Sequence, residues 1–402
     1  MLVLLVVSGV IISLSMGVRQ SLGLFMRPVT LDLGISAAAF SFSLALQNIV
    51  WGLSQPFIGA AADRYGARPV AVASALVYAA GLLIMVVSKN ELVFHAAGFL
   101  LGIGVAGTGL GVMLGVVARA TPPEKRSQRV GLVAATGSLG TVAMAPIGQA
   151  LVEGFGWRAG LVAFAAVAGA MAVLALLLRD QAPARDAQPA AAPQPMGEAL
   201  GEALRHRGFM QMTLAYFACG FQLVFIMTHL PQYLEICGVA PSVGAQALAL
   251  IGLCNTIGTY IFGHLGAHYS QKRLLAMIYG LRTVFIAIFL LVPVSATTTL
   301  IFAAAMGFVW LGVAPLITGV LSKVFGFAHF NMLYGTVFFS HQVGSFAGAW
   351  LGGLVFSFTG AYSLAWGALL VIGAIAFTLQ WTMDDTPPPQ RRAVGEPVPA
   401  PV

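Results

Sequence analysis

The sequence predicts an all-α membrane protein with twelve transmembrane helices arranged as two pseudo-symmetric halves of six. Only 8% of the 402 residues are charged and 59% are hydrophobic, whereas soluble domains carry roughly 25% charged residues. The mean hydropathy is +0.90, and apolar runs recur along almost the whole chain. This composition excludes ordinary soluble enzymes, disordered proteins and disulfide-stabilised small domains.

The apolar runs are typical of helices and not of barrel strands. Residues 70–87 and 161–178 are apolar on every helix face, while barrel strands alternate polar and apolar over about 10 residues. A bilayer core about 30 Å thick requires about 20 apolar residues per helix. Breaks at Pro, Gly and charged clusters then give spans 1 to 12: 1–26, 37–62, 69–88, 92–118, 127–152, 157–179, 208–235, 243–267, 273–293, 297–322, 330–358 and 361–383.

A polar segment between spans 6 and 7 divides the chain. It is rich in Pro, Ala, Gln and charged residues, and we expect it to end in a short surface helix that starts at Met196. The predicted organisation is an N-terminal half 1–179, a cytoplasmic linker 180–207, a C-terminal half 208–385 and a cytoplasmic tail 386–402.

The distribution of Lys and Arg predicts the orientation. Fifteen of them fall on one side of the membrane, the basic side, and only Arg27, Lys89 and Arg158 fall on the other, the Lys/Arg-poor side. Because cytoplasmic loops carry the excess of Lys and Arg, both termini and the linker should be cytoplasmic. The net charge of +7 is then a consequence of topology, and it does not indicate nucleic-acid binding.

Two loops repeat between the halves. The loop after span 2 reads Gly59-x-x-x-Asp63-Arg64-x-Gly66-x-Arg68, and a degraded copy, residues 263–273, follows span 8. This pattern resembles the A-motif of the major facilitator superfamily, and with twelve spans and a central linker the resemblance covers nearly the whole chain. It implies the major facilitator fold and a transport function.

The loop residues also suggest a gate. Gly59 would let two helices approach closely, and Asp63 would accept hydrogen bonds at a helix N-terminus, where partial positive charge favours a carboxylate. Arg64 and Arg68 would pair across the seam between the halves on the basic side. Plain positive-inside anchoring explains the two arginines but not the Asp and the Gly.

Several stretches resemble the monocarboxylate and oxalate/formate branch of the superfamily. Span 5 contains Gly137-Ser138 and Ala145-Pro146-x-x-Gln149, and span 1 carries a basic residue within Val18–Phe25, as that branch does. The branch also places an Arg in span 8, where this chain has Thr259. The resemblance therefore does not transfer its carboxylate clamp to this chain.

Few ionisable residues are predicted at membrane depth. All thirteen Asp and Glu residues fall in loops or at span ends, whereas Arg19, His229, Arg282 and His341 lie within spans 1, 7, 9 and 11. Such residues are costly in lipid and mark functional sites. Because an unpaired buried cation is unfavourable and Arg binds carboxylates bidentately, these positions predict an organic anion as substrate.

Each candidate has an alternative. Arg19 can snorkel to the membrane surface, Arg282 can pack against backbone carbonyls, and the two histidines can be satisfied by carbonyls in the core. His229 and His341 are also candidates for proton coupling, because histidine titrates near neutral pH. The full predicted substrate-binding set is Arg19, Gln20, Gln47, Asn48, Gln222, His229, Asn255, Arg282 and His341.

We find no pattern that indicates an enzyme, a catalytic residue, a cofactor or a metal site. The G-x-G-x-x-G sequence at Gly102–Gly107 lies inside span 4, and we interpret its continuation, Gly107, Gly109, Gly111 and Gly115, as a small-residue face for close helix packing. The predicted function is a monomeric secondary transporter in the cytoplasmic (inner) membrane of a bacterium. It would move a small organic anion by alternating access, with proton symport. Export of amphipathic compounds, anion exchange and a receptor without transport remain as alternatives.

Overall fold

The computed structural model describes residues 2–121, 123–178, 196–325 and 330–387, and these form helices joined by short loops. Spans 1 to 6 are, in order, Leu2–Ser21 with Leu22–Phe25 and Met26–Leu33, then Ala37–Tyr65, Ala67–Val87, Glu91–Thr108 with Leu110–Arg119, and Pro123–Ala175, which contains spans 5 and 6. Spans 7 to 12 are Arg207–Ile236, Pro241–His268, Gln271–Leu291, Ala296–Phe308 with Val313–Phe325, Phe330–Thr359 and Ser363–Trp381.

The described residues contain ten stretches long and apolar enough to cross a membrane. One of them, Gly131–Ala175, holds two spans, because Gly156 has a φ of 83° that a helix cannot contain. The helix Phe330–Thr359 lies outside the ten stretches and is itself 30 residues long. The fold class of twelve membrane helices predicted from the sequence is thereby confirmed.

Glycines bring the helices of the first half close together. A Cβ at Gly102 would lie 2.7 Å from the Gln47 carbonyl oxygen, and one at Gly104 would lie 2.6 Å from the Tyr78 Cβ. Span 4 therefore packs tightly on spans 2 and 3. In the predicted packing face, a Cβ at Gly107 would overlap the Ser74 side chain and one at Gly111 the Gln55 side chain, so close packing is confirmed at these two glycines.

The two halves meet along a seam in which span 2 packs on span 11 and the helix of spans 5 and 6 packs on span 8. On the Lys/Arg-poor side the seam is closed. Arg27 Nη1 lies 2.6 Å from Glu235 Oε2, and the Ala38 amide donates to Ser357 Oγ at 3.1 Å.

The basic side of the same seam looks different. A Cβ at Gly59, Gly131 or Gly335 would meet no described atom within 4 Å. Among the described residues nothing packs closely on Gly59, so the close helix approach expected there stays a prediction. Arg68 Nε donates to the Leu178 carbonyl at 2.8 Å, a bond within the first half. The side chains of Asp63 and Arg64 lie outside the part of the chain that is described.

Span 10 is interrupted, which the sequence analysis did not predict. It was expected to be continuous over 297–322, but its helix ends at Phe308 and resumes at Val313. Span 1 also departs from the prediction, because a 3-10 turn, Leu22–Phe25, divides it and a further helix extends it to Leu33.

Two elements on the basic side complete the second half. The short helix predicted from Met196 is confirmed as Met196–Arg205. Asp385, just beyond span 12, lies 2.7 Å from Lys272 and 2.6 Å from Lys323. Hydrogen bonds from these two lysines lower the pKa of Asp385 to about 2, so its carboxylate ties the ends of spans 9, 10 and 12 together at physiological pH.

Candidate functional site

A cavity of about 30 Å³ lies between the halves at the depth of the 3-10 turn in span 1. Spans 1 and 2 contribute polar groups to it, and span 7 contributes a largely apolar wall. The lining residues are Arg19, Gln20, Gly23, Leu44, Gln47, Asn48, Val224, Met227 and Thr228. They include one cation and no acidic residue.

Arg19 is held against span 2 but keeps donors for a ligand. Its Nη2 donates to Asn48 Oδ1, and its guanidinium carbon lies 4.9 Å from the centre of the Trp51 ring. The Asn48 Nδ2 donates to the Leu44 carbonyl at 2.7 Å, which fixes the amide with its oxygen towards Arg19. Arg19 Nε is buried and has no hydrogen-bond partner among the described residues, whereas the residue as a whole is partly exposed and lines the cavity. This geometry favours the ligand-binding interpretation of Arg19 over snorkelling.

His341 lies at the same seam on the opposite half. Its ring stacks on Phe338 at 5.8 Å, and Phe338 in turn contacts Trp51 at 5.5 Å. The neighbouring Gln342 donates from Nε2 to the Asn48 carbonyl at 2.9 Å. A continuous set of polar and aromatic contacts therefore joins Arg19 on span 1 to His341 on span 11.

Arg282 has a different environment. It is fully buried, with Nε and Nη2 donating to the Val309 carbonyl at 3.0 and 2.8 Å and Nη2 donating also to the Trp310 carbonyl. Both acceptors lie in the interruption of span 10. Asn255 binds the same interruption, because its Oδ1 accepts from the Leu311 amide at 2.9 Å. The structure thus places Arg282 of span 9 and Asn255 of span 8 against the interruption of span 10, and neither lines the cavity that Arg19 lines.

His229 and Gln222 also lie away from this cavity. His229 is fully buried, with Nε2 2.7 Å from the Ala349 carbonyl and Nδ1 3.1 Å from the Tyr362 hydroxyl. Gln222 donates to the Leu369 carbonyl at 3.1 Å. These side chains connect span 7 to spans 11 and 12 within the second half.

Of the predicted binding set, the structure therefore brings Arg19, Gln20, Gln47 and Asn48 to one cavity, with His341 nearby. The sequence analysis missed Gln342, although it lies next to His341. Adjacent helix positions point about 100° apart, so no periodic pattern links the two residues, and only the packing of span 11 on span 2 reveals the contact. It also missed Gly23, where a Cβ would overlap the Met227 carbonyl oxygen.

A family model described as Major Facilitator Superfamily matches residues 7–326. The chain belongs to the major facilitator superfamily. The Oxalate:formate antiporter of Oxalobacter formigenes is 23% identical to this transporter over 376 residues, which cover 92% of this chain and 87% of that protein. Monocarboxylate transporter 13 of Rattus norvegicus is 26% identical over 369 residues, covering 90% and 84%. The resemblance predicted from the sequence, to the superfamily and to this branch, is confirmed.

Solved structures agree on the fold. The crystal structure of a bacterial homolog to the human lysosomal transporter Spinster, in an inward-facing and occupied conformation, matches the transporter with a TM-score of 0.75. It is 16% identical, and the match covers 94% of this chain and 95% of that one. These structures show the fold alone; membership of the superfamily, with its transporter relatives, makes the protein a multi-pass membrane transporter and not an enzyme.

Proposed function

We propose that the transporter carries a small organic anion of the carboxylate type by alternating access of the cavity that Arg19 lines. The observation that carries this proposal is the environment of Arg19. Its immediate partners are a neutral amide and an aromatic ring, and none of the described residues that line the cavity is acidic. A carboxylate can accept from the remaining donors of the guanidinium and supply the missing negative charge.

The cavity favours a substrate with a single carboxylate. Arg19 is the one cation among its lining residues, and Arg282, the second predicted cation, binds carbonyls of span 10. A dianion would bring a second charge without a partner, which is costly in a buried site. The rest of the substrate would face an apolar wall formed by Leu44, Val224 and Met227. The names of the monocarboxylate relatives agree with this substrate class.

The size of the cavity supports alternating access. A volume of about 30 Å³ accommodates a water molecule or two and not an organic acid. Substrate can enter only when the two halves separate. The seam is closed on the Lys/Arg-poor side through the ion pair between Arg27 and Glu235, so we infer that the halves separate on the basic side when substrate enters from this state.

For energy coupling we propose proton symport, with His341 and the carboxyl group of the substrate as the candidate proton carriers. His341 lies at the seam, whereas both ring nitrogens of His229 already bind partners within the second half. Anion exchange is the second candidate, because a relative is an oxalate:formate antiporter and no acidic side chain lines the cavity.

Uptake into proteoliposomes tests the proposal. Radiolabelled acetate, lactate and pyruvate, as monocarboxylates, are compared with oxalate and succinate under an inward proton gradient. We expect accumulation of at least one monocarboxylate, abolished by a protonophore. Accumulation that survives the protonophore and requires an internal anion would establish exchange. Uptake of dianions alone would contradict the single-carboxylate assignment.

We further propose a cytoplasmic membrane location with both termini on the cytoplasmic side and a monomeric state. Native Cys237 provides a test of orientation, because it is exposed directly after span 7 on the Lys/Arg-poor side, while Cys219 is buried. A membrane-impermeant maleimide added to intact cells should modify Cys237. The variant Cys237→Ser is the control, and labelling only after cell lysis would reverse the proposed topology.

A further inference from the structure

The contact between spans 2 and 11 contains an amide that serves both halves. Gln342 on span 11 is fully buried, and its Nε2 donates to the Asn48 carbonyl of span 2 at 2.9 Å. A carbonyl oxygen can only accept. The group that faces Asn48 must therefore be the NH₂ of Gln342, so its Oε1 faces the other way.

The oxygen of Gln342 faces His341. Oε1 lies 3.1 Å from His341 Nδ1. The Ser345 hydroxyl, 3.4 Å from the same nitrogen, donates to the His341 carbonyl and thus offers a lone pair to Nδ1. Two acceptors at Nδ1 require that this nitrogen carries the proton in the neutral ring.

The other ring nitrogen is then the basic one. His341 Nε2 is buried and has no hydrogen-bond partner among the described residues. We propose that Gln342 is a positioning residue, which holds His341 in the Nδ1–H tautomer and so leaves Nε2 as the nitrogen that takes up a proton at the seam. Its link to transport rests on the proton symport proposed above.

A comparison with Asn48 shows that the arrangement is systematic. Asn48 donates to the Leu44 carbonyl and turns its oxygen to Arg19, just as Gln342 donates to the Asn48 carbonyl and turns its oxygen to His341. Two buried amides, each oriented by a main-chain oxygen, thus present acceptors to the cation of one half and the histidine of the other.

The orientation of Gln342 depends on contact between the halves. Gly52 permits this contact, because a Cβ there would lie 2.9 Å from the Cβ of Gln342. When span 2 moves away from span 11, Gln342 loses the acceptor that orients it. A single amide therefore connects the closed seam to the tautomer of His341.

Groups on three other spans also surround the His341 ring. Tyr216 on span 7 contacts the ring at 4.7 Å, and Arg19 on span 1 and Arg282 on span 9 act on it electrostatically. The hydrogen bonds of both arginines in the described part of the chain go to other residues, so Gln342 and Ser345 define the tautomer.

Nitrogen NMR of the purified full-length transporter, labelled with ¹⁵N-histidine, tests the inference with the proton as the probe. The variant His341→Gln assigns the His341 signals, and a pH titration reports which nitrogen is protonated in the neutral ring. We expect Nδ1–H in the wild type. In Gln342→Met, which removes the acceptor at similar volume, the tautomer ratio should shift about fivefold towards Nε2–H, as loss of one hydrogen bond predicts.

A second variant and a control make the test decisive. Gly52→Ala leaves every polar group unchanged but pushes Gln342 away, and it should shift the ratio in the same direction. Gln380→Met removes a fully buried amide from span 12, and it should leave the His341 signals unchanged. An Nε2–H ring in the wild type, or an unchanged ratio in both test variants, overturns the inference. These readouts require no substrate, so failure of the transport proposal is seen separately, as uptake without proton dependence.

Discussion

Arg19 and Arg282 are both arginines within membrane spans, yet the structure gives them opposite surroundings. Arg19 is partly exposed to the cavity, beside an amide and over Trp51. Arg282 is fully buried and donates to two carbonyls in the interruption of span 10. Carbonyls that a broken helix leaves without partners need donors at membrane depth, so Arg282 binds two main-chain carbonyls, whereas Arg19 donates to a side-chain amide beside the cavity.

This difference shows what decides the role of an intramembrane cation. A charge without a fixed partner indicates an anionic ligand, whereas a charge beside an interrupted helix can stabilise the protein itself. The two arginines should therefore fail in different assays when they are replaced.

The largest expected effect is on transport. Arg19→Gln should lower kcat/KM for the transported monocarboxylate at least about a hundredfold, because the carboxylate would enter a buried site without its cation. Arg19→Lys should retain part of the activity, since an ammonium supplies charge but not the planar fork. The measurement is uptake into proteoliposomes, with thermal unfolding as the check that both variants fold. Uptake at the wild-type rate would remove Arg19 from the site.

The next effect is on stability. Arg282→Met should lower the free energy of unfolding by about 2–4 kcal/mol, because the Val309 and Trp310 carbonyls lose their donor. Thermal unfolding in detergent measures this change. The KM of the folded fraction should stay within about twofold of wild type, because a twofold change corresponds to less free energy than one hydrogen bond to the substrate contributes.

A matched control for Arg282 is Arg158→Met. Arg158 pairs with Asp32 at 2.7 Å, and its side chain is 50% exposed. Exposed pairs contribute at most about 1 kcal/mol, so this variant should unfold close to wild type. A stable Arg282→Met variant that has lost transport would place Arg282 in the substrate site instead.

The smallest effect concerns a third arginine, at the edge of the seam. Arg27 pairs with Glu235 across the halves, and its side chain is 45% exposed. Arg27→Gln should favour opening on the Lys/Arg-poor side by up to about fivefold, the upper value for an exposed pair. The labelling rate of a Thr228→Cys reporter in the cavity wall, made in a Cys237→Ser background, measures this opening. Glu235→Gln should raise the labelling rate by the same factor, and the double variant should raise it no further. Additive effects of the two substitutions would show that the ion pair is not the cause.

Much of the fold could be predicted from the sequence, because spans of about 20 apolar residues and the excess of Lys and Arg on one side depend only on local composition. The position of Arg19 at the site could also be predicted, since the residues on its face are polar. For Arg282 the sequence left substrate contact and packing against backbone carbonyls equally open. Its partners, Val309 and Trp310, are apolar residues in the sequence, and they act through backbone oxygens that only the interruption of span 10 exposes. The role of His229 stayed open for the same reason, because its acceptor is the Ala349 carbonyl.

The lack of a side chain at Gly23 has a consequence for the transport cycle. Span 1 touches the carbonyl oxygens of Met227 and Thr228 at this residue, so the wall of one half rests directly on the backbone of the other. Even a methyl group at this position would push span 1 away from span 7. Gly23→Ala should therefore keep the seam partly open on the Lys/Arg-poor side. A transporter that cannot close this side before the basic side opens would let accumulated substrate leak back down its concentration gradient.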